Sequence, residues 1–258
     1  MPKSHDLNRR RVIASACIDI ACGLTVAGAS TARVEDTVQR IGHSCNVPIE
    51  SQVTPTSVVI SVGDELPITR VSRIRARTID LDKLVDLNDI SRQISCHELT
   101  IHAAKTRIAK IISRKPLYST ETIYWGQGLC CAGFAVILGG GAHELLPAFL
   151  EGILCYYFMI KTASQPMFLG AFIGAIITTF AAVICHYCFP SVAFEPIVLA
   201  GIVPLLPGLS LANAVADLIG GDLTAGVART TEALLCAAAL AAAVAPCIHF
   251  CHLIGIPQ

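Results

Sequence analysis

The chain has 258 residues, 53% of them hydrophobic and only 15% charged, with a mean hydropathy of +0.63, which is too apolar for an ordinary soluble domain and points to a membrane protein. Nineteen basic and nineteen acidic residues cancel to a formal net charge of zero, which excludes a polybasic nucleic-acid binder. A single Trp, with no interleaving of basic and aromatic residues, leaves a nucleic-acid single strand nothing to stack on.

The charges are unevenly placed. Residues 1–115 hold 17 basic and 12 acidic side chains, and residues 116–258 hold 2 and 7. The predicted organisation is a polar, mildly basic domain over 1–115 and a nearly charge-free membrane domain over 116–258.

Arg9-Arg10-Arg11 before the apolar run 12–29 imitates a signal peptide, even a twin-arginine one. Asp19 interrupts that run, and the polar helix-like segment 31–42 follows with no clear stop. Residues 9–26 therefore read as an amphipathic helix of a soluble domain, with Gly23 and Gly28 near its end and Ser30 or Thr31 opening a second helix through Arg40. A cleaved signal is the alternative. After Asn46 the period becomes strand-like: 47–54, 57–62 and 68–74 are rich in Val, Ile and Thr and are separated by Pro55, Gly63-Asp64 and Pro67, which predicts a small antiparallel meander. The helical period returns through Leu81, Leu84, Val85 and Leu87, and again through Leu99, Ile101, Ala104, Ile108 and Ile111. The first domain is thus α+β, in the order helix, helix, strands, helix, helix.

The second domain resolves into apolar segments near the roughly 20 residues a helix needs to span a bilayer: 123–141, 145–160, 167–188, 194–216 and 226–248. The predicted fold class is an α+β cytoplasmic domain followed by an all-α bundle of five transmembrane helices. Gly170 and Gly174 share one helix face and permit close helix approach. Arg107, Lys110, Arg114 and Lys115 precede the first span, Lys161 lies between the second and third, and Arg229 opens the fifth. With five crossings all of these fall on one side, which the positive-inside rule makes the cytoplasm, leaving the C-terminus outside.

Most of the twelve cysteines lie in apolar surroundings and read as small buried hydrophobes. Cys185-His-Tyr-Cys188 and the Cys247/His249/Cys251/His252 cluster lack a second matching ligand pair at finger-like spacing, so no metal and no cofactor are expected. Nucleophile-elbow, zincin, phosphate-loop and dinucleotide-loop signatures are missing, and no enzyme activity is predicted. Glu35-Asp36 and Asp80/Asp82/Asp86/Asp89 read as solvated faces and first-turn carboxylates.

The most informative segment is the fourth span and its exit. Pro204, Pro207 and Gly208 within one span loosen the helix, which a membrane tolerates only where freed carbonyls meet protein or line a cavity. A half-helix restarting at Leu209-Ser210 would aim its positive end at an anion, with Asn213 and Asp217 on one face. The competing reading is a simple proline kink with Asp217 solvated at the cytoplasmic end.

The pattern Pro204-x-x-Pro207-Gly208-x-x-x-x-Asn213-Ala214-x-x-Asp217-x-x-x-Gly221-Asp222-x-x-x-Gly226-x-x-Arg229 resembles the signature of the threonine/serine exporter family. Gly28-Ala29-Ser30-x-x-Arg33-Val34-Glu35-Asp36 resembles that family's N-terminal motif. The resemblance runs from about Leu7 to about His252. Single-chain members carry a second membrane half, so a sequence with five spans is similar to the split form, whose partner is a smaller, separately encoded membrane protein. The resemblance implies a multi-pass exporter in the cytoplasmic (inner) membrane, driven by the proton-motive force, with threonine and serine as substrates and a dicarboxylate such as succinate as the alternative. It places the substrate carboxylate at Ser210 and the half-helix end after Pro207-Gly208, with Asn213 orienting it. Asp217 takes the ammonium or the coupling proton, and Arg229 pairs with Asp217 or Asp222. Hetero-oligomers with the smaller subunit are expected, homo-oligomers are an option, and nucleic acid is not a partner. Two other classes remain: a non-transporting membrane scaffold, and a membrane hydrolase for which Ser30, Arg33 and Glu35 are the only compact polar cluster.

Overall fold

Ile13, Cys17, Ile20 and Leu24 recur every three or four residues, which places them on one face of a helix. In the computed structural model, which describes residues 4–64, 66–75 and 77–253, α1 (Ser4–Val26) buries all four. Helix α2 (Thr31–Ser44) adds Val34, Val38 and Ile41 to the same core. Strands β1 (Ile49–Thr54), β2 (Ser57–Val62) and β3 (Ile68–Arg73) form an antiparallel meander, with Val53 opposite Val58 and Ile60 opposite Arg70. Alternation along β2 turns Val58, Ile60 and Val62 to the core, where α1 packs on β2 and β3. Helix α3 (Leu81–Ser95) starts where the Asp80 carboxylate accepts the Lys83 amide hydrogen, and α4 (Ile101–Ser113) starts where the Thr100 hydroxyl accepts that of Ala103. Leu84, Leu87, Ile90, Ile94, Ala104 and Ile108 close the core from these two helices.

The remaining elements are α5 (Thr120–Ile137), α6 (Ala142–Lys161), α7 (Met167–Cys188), α8 (Phe194–Ile202), a 3₁₀ turn (Val203–Leu205), α9 (Gly208–Ile219) and α10 (Leu223–Leu253). Packing divides the chain into two units: Met1–Leu117 with Leu209–Thr230, and Tyr118–Gly208 with Thr231–Gln258. The first cut follows Leu117 rather than Lys115. Residues 209–230, placed by hydropathy in the membrane domain, return to the α+β unit because their polar side chains bond there, as described below.

Five spans are predicted from the sequence. Among the described residues two helices are long and apolar enough to cross a membrane, α7 and Leu223–His249, and a third crossing arises only if Phe194–Leu205 and Gly208–Ile219 count as one broken span. Helices stand at 123–141 and 145–160 as well, but α5 carries Glu121 and Gln127, and α6 carries His143, Glu144, Glu151 and Lys161, which lower their hydropathy. Leu129, Ile137, Leu146, Leu150, Phe180, Ile184, Leu234 and Leu235 nevertheless face outward in this unit, an apolar surface that water does not favour.

Candidate functional site

The turn between α1 and α2 is the foundation of the site. The Gly28 amide donates to Thr25 O at 3.2 Å and the Ala29 amide to Leu24 O at 3.0 Å, the paired bonds of a Schellman helix end, with Gly28 at φ +97°. Only glycine adopts that left-handed backbone without strain. The turn leaves the carbonyls of Gly28 and Ala29 available as acceptors.

Helices α9 and α10 supply what fills them. Asn213 Nδ2 donates to Gly28 O at 2.9 Å, and Arg229 Nη2 donates to Ala29 O at 3.1 Å. Arg229 Nε lies 3.0 Å from Asp217 Oδ2, forming an ion pair whose residues are 3% and 0% exposed. The same carboxylate accepts the Thr31 amide hydrogen at 2.9 Å on Oδ1 and the Thr31 hydroxyl at 3.3 Å on Oδ2. Ser30, the residue before α2, makes no side-chain cap. Asp217 therefore does that work from 186 positions away in the chain, setting a negative charge against the helix's unsatisfied amides.

Each oxygen of Asp217 thus has a donor, and its charge has a guanidinium. Asp222 opens α10, where its Oδ1 accepts the Ala225 amide hydrogen at 3.0 Å, and its own amide donates to Asp217 O at 2.9 Å. Glu35 on α2 is half-buried, and its Oε1 accepts from the Val53 amide at 3.1 Å, tying α2 to β1. Burial holds the Glu35 carboxyl above its ordinary pKa, the Val53 hydrogen bond opposes this, and the nearby charges of Asp222 and Asp217 add to it.

The other predicted residues are dispersed. Ser210 is half-buried on the first turn of α9. Pro204 lies in the 3₁₀ turn, Pro207 is buried just beyond it, and Gly208 is exposed at the start of α9, so the helix break falls where the prolines place it. Arg33 is exposed and lines an open cleft of about 330 Å³ between α2 and α3 with Asp36, Arg40, Asp89 and Arg92. Arg33 and Glu35 thus serve different surroundings, one this cleft and one β1, so the polar cluster a hydrolase requires does not form around them. Among the described residues no group of three His, Cys, Asp or Glu side chains converges as metal ligands. The side chains of Cys251 and His252 lie outside the described residues.

Three buried polar residues escape the sequence reading. Thr31 contributes through its backbone amide, which leaves no mark in the sequence, and through its hydroxyl. Glu144 and Glu151, both on α6, are 5% and 4% exposed. The signal for Glu151 was present: an ionisable residue inside a predicted span is a functional candidate by default, and Glu151 lies inside 145–160, whereas Glu144 falls between two spans.

A family described as "Putative threonine/serine exporter" (ThrE) matches residues 15–250. The chain is 25% identical over 241 residues to the "Probable threonine/serine exporter" of Mycobacterium tuberculosis, covering 91% of this chain and 45% of that protein. It is 25% identical over 235 residues to the "Probable succinate transporter subunit YjjP" of Escherichia coli, covering 88% of this chain and 90% of that one. With the "Threonine/serine exporter" of Corynebacterium glutamicum it shares 25% identity over 191 residues, 72% of this chain and 39% of the relative. The chain therefore spans less than half the length of the two exporters and nearly the whole of the subunit. No solved structure matches it.

Proposed function

This chain belongs to the threonine/serine exporter family, and from that premise we propose that it is the larger membrane subunit of a proton-motive-force-driven secondary exporter of threonine and serine. A smaller, separately encoded membrane subunit completes the transporter. The chain sits in the cytoplasmic membrane with residues 1–115 inside, α5 and α6 crossing along with α7, the α8–α9 pair and α10, and the C-terminus outside. Outward apolar side chains on α5 and α6 support those two crossings despite their carboxylates.

The observation that carries this reading is the closure of the two family-like motifs, 28–36 and 204–229, around the buried Asp217–Arg229 pair. An amino-acid zwitterion bears the same two charges. Its ammonium replaces Arg229 at Asp217, while its carboxylate is received by Ser210 at the start of α9, where the helix dipole favours an anion. Asn213 and Gly28 hold that site closed until substrate arrives, and Asp222 fixes the start of α10, which carries Arg229. Pro204, Pro207 and Gly208 keep the helix broken so that α9 has a free N-terminus.

A second reading has its own support. The relative covered almost end to end is named a succinate transporter subunit, and a dicarboxylate would use the Arg229 side of the pair and not Asp217. Efflux of preloaded labelled threonine, serine and succinate from cells with and without each subunit separates the two. Amino-acid efflux that requires both chains is the expected result; succinate efflux alone would establish the second reading.

A further inference from the structure

Two carboxylates lie on one face of α6, seven residues apart, and they are treated differently. Glu144 accepts the Gly141 amide hydrogen at 2.7 Å on Oε2 and the Ala193 amide hydrogen at 2.7 Å on Oε1, so it joins the start of α6 to the start of α8. Glu151, 4% exposed, has no hydrogen-bond partner for either oxygen among the described residues. Its carboxyl lies against Gly201 of α8, where a Cβ would stand 2.4 Å from Oε1 and 2.5 Å from Cδ. The space exists only because residue 201 has no side chain.

Beside it, Gly152 brings α6 so close to α5 that a Cβ there would meet Cys131 Sγ at 2.8 Å. The titratable groups near Glu151 are Cys131 of α5, Cys155 on its own helix and Cys185 of α7; α8 offers Gly201. Among the described residues no Lys, Arg or His charge acts on it. An ionised carboxylate in such a place loses hydration worth several kcal/mol with no cation or donor to replace it. The neutral acid costs far less.

We propose that Glu151 is a proton-carrying acid of the helical unit, neutral in the closed packing against Gly201 and ionised when that packing opens to water. An O–H bond forms at a carboxyl oxygen with a proton from solvent and breaks by returning it to solvent, so no other reactant is consumed. The inference rests on the exporter reading for the use of that proton, which is to couple export to the pH gradient, and it assigns the coupling to α6 rather than to the filled Asp217 site.

Two readouts of the full chain in lipid test it. Infrared spectra at neutral pH are expected to show a protonated-carboxyl band that vanishes in Glu151→Gln and persists in Glu144→Gln. In membrane vesicles from cells expressing both subunits, Glu151→Gln is expected to keep exchange of labelled substrate across equal pH while losing the acceleration a pH gradient gives the wild type. Glutamine matches the shape of the neutral acid, so the variant folds. Gly201→Ala, whose Cβ displaces the carboxyl, provides a second route, with the band shifted or lost. Absence of the band from the wild type, or a normal pH-gradient response in Glu151→Gln, overturns the proposal. If the wild type moves none of the substrates, the exporter reading fails instead, and the band still decides whether Glu151 holds the proton.

Discussion

Asp217 and Glu151 are both buried carboxylates, and their surroundings are opposites. Asp217 has a guanidinium at 3.0 Å and the two donors of Thr31, whereas neither oxygen of Glu151 has a partner among the described residues. A buried charge survives only when it is paired and hydrogen-bonded, and otherwise the group gives up its charge. The first carboxylate is therefore suited to hold the turn at Gly28 against α9 and α10 until something replaces a partner. The second is suited to change its protonation.

The largest effect should come from breaking the pair. Arg229→Leu leaves Asp217 ionised and uncompensated, and Asp217→Asn leaves the Arg229 cation so, each with an expected cost of about 3–5 kcal/mol in stability. The double variant removes both charges and should recover much of the loss. Thermal unfolding of the full chain in detergent measures this; if both single variants unfold at the wild-type temperature, the pair has no holding role. Asp217→Asn affects folding as well as charge, because Arg229 is buried beside it.

A smaller effect is expected at Gly28. Alanine there must adopt φ +97°, at roughly 1–2 kcal/mol for the left-handed backbone. It also shifts the two carbonyls that Asn213 and Arg229 use. The same thermal assay should place Gly28→Ala between the wild type and Arg229→Leu, and a larger loss than Arg229→Leu would make the turn, not the ion pair, the main support of the site.

The smallest effect is a pH dependence. The folded-state pKa of Glu35 is raised, so the folded protein binds this proton more tightly than the unfolded chain does. The stability it contributes is fully present below the ordinary value of 4.5 and is lost as pH rises through the folded pKa. Glu35→Gln keeps an oxygen for the Val53 amide and carries no charge. It should flatten the stability profile above pH 4.5 and gain on the wild type toward neutrality, as denaturation at a series of pH values would show. A steeper profile in the variant would mean that Glu35 is stabilised as the anion.

Much of the α+β unit was legible because its periods are strong. Strands expected at 47–54, 57–62 and 68–74 stand at Ile49–Thr54, Ser57–Val62 and Ile68–Arg73, since Val, Ile and Thr alternate between turn formers. Asp19 in the apolar run favoured a helix of this unit, and α1 packs Ile13, Cys17, Ile20 and Leu24 into its core. Hydropathy located the later helices, but only α7 and Leu223–His249 are long and apolar enough to cross a membrane by themselves among the described residues, because single carboxylates on α5 and α6 lower the average. In the site, charge scarcity narrowed the choice: residues 116–258 hold two basic side chains, Lys161 and Arg229, so Arg229 was the one cation of that region close to Asp217 in the sequence. The approach of Thr31 and the carbonyls of Gly28 and Ala29 was not legible, because backbone groups are common to every residue. Nor was the Gly201 cradle, which depends on how closely α8 meets α6.

We propose that this chain, with a second subunit, exports small amino acids at the expense of the pH gradient. It is tested most directly by loading vesicles that contain both purified subunits with labelled threonine, imposing a pH gradient and following the label's exit. Rapid, gradient-dependent exit that needs both chains and is lost in Arg229→Leu is expected. Exit that proceeds without this chain, or that ignores the gradient in the presence of both, would contradict it.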